Sequence, residues 1–75
     1  MIKERRKIIE KAKELMNQAS ELLEQAKDEE QDSFDNLPEG LQGADKGEIM
    51  ESNVSILEDA CDELNSTIEN LEGIE

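Results

Sequence analysis

The chain has no Trp, no Tyr and no His, and a single Phe, Pro and Cys among 75 residues. Each shortage excludes something. Without His there is no imidazole to shuttle a proton, and a zinc site built from one Cys is excluded in practice. One Cys cannot form a disulfide framework within the chain, and a lone thiol fits a reducing cytoplasm. One aromatic residue cannot line a pocket. No apolar run reaches ten residues, so neither a signal peptide nor a membrane span is expected. A chain this short buries too little surface to be comfortably stable alone, and with disulfides and metals excluded the remaining support is a partner chain.

Charge is what the sequence has in excess. The formal net charge is −13, and it is unevenly placed. Residues 1–16 carry six basic and three acidic side chains, +3, whereas residues 17–75 carry two Lys against eighteen acids, −16. So acidic a surface repels phosphate backbones, and direct duplex nucleic-acid binding is not expected; a basic protein surface is an allowed partner.

Hydrophobic periodicity gives two helices. Over residues 2–36, Ile2, Ile9, Met16 and Leu23 fall on heptad position a. Arg5, Ala12, Ala19 and Ala26 fall on d, and Met1, Ile8, Leu15 and Leu22 on g. The resulting stripe is wide enough to touch more than one neighbour. Glu4 with Lys7, Glu10 with Lys13, and Glu24 with Lys27 have i,i+3 pairing distance. The stripe degrades where Glu29 and Glu30 occupy g and a. Over residues 45–72 the heptad is narrower and stricter, with Val54, Cys61 and Ile68 at a and Met50, Leu57, Leu64 and Leu71 at d. Alternating steps of four and three define a helix–helix seam. Asp45 and Glu48 have capping-box spacing, and Gly73 marks the end. Ile49, Ile56 and Ala60 lie off the seam and suggest a second contact surface.

Between the helices, Pro38 disfavours helix at Leu37, and Gly40 and Gly43 reinforce the break. The expected fold is therefore all-α: a single antiparallel, coiled-coil-like hairpin with helix 2–36, turn 37–44 and helix 45–72. The expected seam is Ile9, Ala12, Met16, Ala19 and Leu23 against Val54, Leu57, Cys61, Leu64, Ile68 and Leu71. One hairpin leaves part of each stripe wet, so self-association into a dimer or higher even oligomer, a helical bundle, is expected.

No catalytic constellation is visible, and the expected class is a non-enzymatic binding protein without cofactor or metal. Cys61 at position a reads as core packing. Asp32, Asp35 and Glu39 lie close in sequence but lack the alternating ligands and central Gly of a calcium loop. Two candidate sites remain. Arg5, Arg6 and Lys7 could bind an anion such as a phosphate, brought together in copies by symmetry; alternatively they neutralise Asp62, Glu63, Glu69, Glu72 and Glu75 on the antiparallel neighbour. Phe34, Asn36, Leu37, Pro38 and Gln42 could form a recognition surface on the turn; alternatively Phe34, Leu37 and Leu41 fold back to cap the bundle.

The segment DEEQDSFDNLPEGLQGADKGEIME (residues 28–51), followed by NVSILEDACDELNSTIENLEGI (residues 53–74) and preceded by a basic KERRKIIEKA opening, resembles a family of short, acidic bacteriophage and prophage proteins with no assigned activity. The resemblance covers nearly the whole chain, and its specific part is the FDNLPEGLQ turn. It implies an accessory role in the cytoplasm of an infected bacterial host cell. Three functions follow as expectations. The first is a stoichiometric inhibitor or adaptor of a host protein, including a defence protein. The second is an oligomeric sponge that sequesters a nucleotide immune signal, such as a cyclic nucleotide or an ADP-ribose-type ligand. The third is a structural or assembly bundle.

Overall fold

The computed structural model describes residues 2–75; Met1, placed on position g above, lies outside the described residues. Three helices follow in order: α1 (Lys3–Asp35), α2 (Glu39–Gln42) and α3 (Asp45–Glu72), with no strand among the described residues. The chain forms a narrow rod, 59 × 15 × 12 Å between Cα extremes. α1 and α3 lie antiparallel along its length.

Two cross-helix hydrogen bonds pin the register. The Ser20 hydroxyl donates to the Asn65 side-chain oxygen at 3.0 Å, and the Asn53 amide donates to a Glu30 carboxylate oxygen at 2.7 Å. Residues level with each other on α1 and α3 therefore have numbers adding to about 84.

α3 packs as its heptad dictates. Cys61 and Ile68 are buried, at 5% and 7% exposure, and Met50, Val54, Leu57, Leu64 and Leu71 are half-buried. α1 is rotated away from the expected seam. Ile9, Ala12, Met16 and Leu23 do face the seam, but Ala19 and Ala26 are exposed. Their places beside position a are taken by Lys13, Ser20, Lys27 and Phe34, one step around the helix. Three members of this row are polar, and two of them, Ser20 and Lys13, make polar contacts. Ser20 is buried against Asn65. Lys13 lays its stem inside, with its side chain 18% exposed, and sends its amine out to Glu10 at 3.6 Å. Glu30, which interrupted the apolar stripe, is half-buried and receives the Asn53 amide.

The turn is more ordered than its Pro and Gly content suggests. α1 ends at Asp35, where the Asn36 N–H bonds back to the Asp32 carbonyl and the Leu37 N–H to the Phe34 carbonyl. Pro38 then precedes the single helical turn Glu39–Gln42, so the expected 37–44 break contains a short helix. Gly47 explains how this turn docks. A Cβ there would run into the Gln42 backbone carbonyl, so only glycine lets α2 sit against the first turn of α3. Gly40 and Gly43 face open space. α3 itself starts one residue earlier than a capping box on Asp45 and Glu48 requires. Ala44 is the N-cap, with no side-chain cap, and Asp45 and Glu48 act as first-turn acids beside the positive end of the helix dipole.

Of the i,i+3 ion pairs expected on α1, Glu10–Lys13 forms and Lys11–Glu14 joins it at 3.6 Å, while Glu4–Lys7 and Glu24–Lys27 do not. Lys27 is instead drawn toward the seam.

Candidate functional site

The described residues contain little core and much uncovered apolar surface. No side chain is fully buried, and only Cys61 and Ile68 count as buried apolar residues. Against them, Ile8 (68%), Leu15, Leu22 (66%), Ile49 (61%) and Ile56 (62%) are largely exposed. These five are not scattered. Ile8, Leu15 and Leu22 recur every seven residues on α1, and Ile49 and Ile56 do so on α3, so each set forms a line along its helix. An open groove of about 470 Å³ lined by Ala26, Glu29, Glu30, Ser33, Asn53, Ile56 and Leu57 shows which sides of the two helices coincide. Glu29 continues the Ile8–Leu15–Leu22 line and Ser33 continues the Ala19–Ala26 line. Both helices thus turn their surplus apolar residues to one side of the hairpin. The small Ala12, Ala19, Ala26 and Ala60 pave the space between the lines. Ile49 and Ile56, suspected of a second contact surface, belong to this face.

The basic end is exposed throughout. Lys3, Arg6, Lys7 and Lys11, with Glu10 and Glu14, line a shallow concavity on the outer side of α1. Arg5 is not among them; it stands on the line of Ala12 and Ala19, beside the apolar face. The three residues singled out as an anion site are therefore split between two surfaces. None of Lys3, Arg5, Arg6 or Lys7 is ion-paired with Asp62, Glu63, Glu69 or Glu72.

The turn divides similarly. Phe34 and Leu37 are half-buried, and Gln42 donates its side-chain amide to the Phe34 and Leu37 carbonyls at 3.4 and 3.2 Å. Gln42 thereby ties off the C-terminal end of α1, leaving Asn36, Pro38 and Leu41 as the outward residues of the turn. Half-burial of Phe34 and Leu37 agrees with a capping role, which Leu41, about half exposed, does not share.

Cys61 is a free, buried thiol. No group of three or more metal-ligating side chains is close enough to hold an ion among the described residues. No described helix is long and apolar enough to cross a membrane. Comparison with family models, curated proteins and solved structures gave no match to the chain.

Sequence reasoning missed Ser20, Asn65, Asn53 and Glu30 as register-setting residues. Their signal was present as polar residues interrupting, or flanking, otherwise apolar stripes.

Proposed function

We propose that this protein works by binding, as a bundle of self-associated hairpins that presents an acidic surface to a basic site on another protein. One observation carries the reading: a continuous apolar face shares a narrow rod with a formal charge of −13. The apolar face suits association of like chains, because burying each Leu or Ile contributes about 1.5–3 kcal/mol. The charge suits a basic partner, because opposite fields steer encounter and reject acidic competitors. The resemblance to phage proteins supports a stoichiometric inhibitor or adaptor acting on a host protein in an infected cell.

A second reading draws on the concavity of Lys3, Arg6, Lys7 and Lys11, whose four cations suit a nucleotide-type anion. It corresponds to a sponge for a signalling nucleotide.

The test is a tagged copy expressed in bacterial cells, purified at low salt and weighed by native and then denaturing mass spectrometry. Specific capture of a basic protein that is lost as salt rises supports the first reading. A nucleotide-sized mass released on denaturation favours the second. A clean bundle that captures neither leaves an assembly role.

A further inference from the structure

We propose that the apolar face is covered by a second copy of the same chain, packed face to face and antiparallel, with Leu22 on the twofold axis and Lys11 beside Asp32 of the second copy. The proposal rests on the self-association put forward above and specifies its geometry.

The spacing of the exposed side chains is the first argument. On the register set by Ser20–Asn65 and Asn53–Glu30, Ile56 stands level with about residue 28 of α1 and Ile49 with about residue 35. Ile8 and Ile49 are therefore about equally distant from Leu22, on opposite sides, and so are Leu15 and Ile56. A twofold axis at Leu22, perpendicular to the rod, brings Ile8 into one layer with Ile49 of the second copy and Leu15 into one layer with Ile56. Leu22 meets Leu22. Five layers then each hold two large aliphatic side chains, which is the self-complementarity that a twofold interface requires.

Area is the second argument. The face extends about 40 Å along the rod and about two helix widths across, giving about 800 Å² per copy, the size of a standard stable interface.

Charge selects the direction. A parallel pair would layer the same ten aliphatic side chains, so apolar spacing alone does not decide. The half of the hairpin that holds the turn, residues 22–62, has two basic against thirteen acidic side chains, −11. The half that holds the termini has six against eight, −2. Parallel packing sets −11 beside −11. Antiparallel packing sets each −11 half beside a −2 half, whose 1–16 segment is itself +3.

The antiparallel arrangement stacks α1 on α1, and this makes a specific prediction at the rim. Lys11 and Asp32 occupy the same heptad line on α1, next to the Leu22 line, and lie eleven and ten residues from Leu22 on opposite sides, so at about equal distances from the axis. Lys11 of each copy therefore meets Asp32 of the other. Within one straight helix the two are about 31 Å apart, beyond the reach of a direct side-chain link.

The experiment is zero-length carbodiimide coupling of the wild-type chain, with peptide mapping by mass spectrometry and sedimentation equilibrium on the same sample. The expected result is a Lys11–Asp32 crosslink in a dimer-sized band. Leu22→Glu, which alters an exposed residue outside the hairpin seam, should abolish that link and raise the dissociation constant at least about tenfold. A monomer at all concentrations overturns both the self-association and this geometry. A dimer that lacks the Lys11–Asp32 link overturns the antiparallel register alone. A different protein seated on the face, displaced by none of these changes, also overturns it.

Discussion

α1 and α3 lie side by side over most of the rod, yet they distribute their apolar residues differently. On α3, all seven heptad a and d residues from Met50 to Leu71 face α1, and only Ile49 and Ile56 are large apolar side chains left outside. On α1, the a residues face the seam with a polar row beside them, while Ile8, Leu15 and Leu22 stand in solvent. A helix with one neighbour needs one narrow stripe. A wider stripe extends past that neighbour. The difference between the helices is thus the difference between apolar surface covered within the hairpin and apolar surface the hairpin leaves uncovered.

Substitutions at either face should separate these roles. The largest loss of stability is expected in the completed seam. Ile68→Ala should remove about 2–5 kcal/mol, enough to unfold so small a domain near room temperature, read as loss of helical circular dichroism. Next comes the turn. Gly47→Ala gains about 1 kcal/mol in helix propensity but drives a Cβ into the Gln42 backbone, which cannot swing aside, for a net loss of about 1–3 kcal/mol and a lower melting temperature. Gly40→Ala, in open space on α2, should leave the melting temperature unchanged or raise it. Removing one register bond by Ser20→Ala should cost about 1 kcal/mol by chemical denaturation, partly offset because Asn65 is exposed and regains water. Glu24→Gln, on the exposed surface away from both faces, should stay within about 0.5 kcal/mol in the same assay. An effect as large as that of Ile68→Ala at Glu24 would erase the distinction between covered and uncovered surfaces.

Much of the architecture was legible because helical periods and breakers are local signals. The expected helices 2–36 and 45–72 compare with Lys3–Asp35 and Asp45–Glu72. The rotation of α1 was not legible. Hydrophobicity alone ranks Ala19 above Ser20 for burial, but Ser20 has Asn65 opposite it to bond, and α3 is narrow enough that α1 can turn its alanines elsewhere. The one-turn helix at Glu39–Gln42 was hidden because four residues carry no periodicity, and Gly47 because its need arises from a backbone five residues away. Among the candidate site residues, Gln42 is drawn into tying off α1 and Arg5 is parted from Arg6 and Lys7, since sequence adjacency on a helix turns successive side chains about 100° apart.

The most direct measurement is sedimentation equilibrium of the wild-type chain across the micromolar range. The account predicts a mass of twice 8.5 kDa, or a higher even multiple, that falls when Leu22 is replaced by Glu while helix content at the highest concentration persists. A well-folded species of 8.5 kDa at every concentration would contradict it, because the exposed Ile8–Leu15–Leu22 line would then have no like chain to meet.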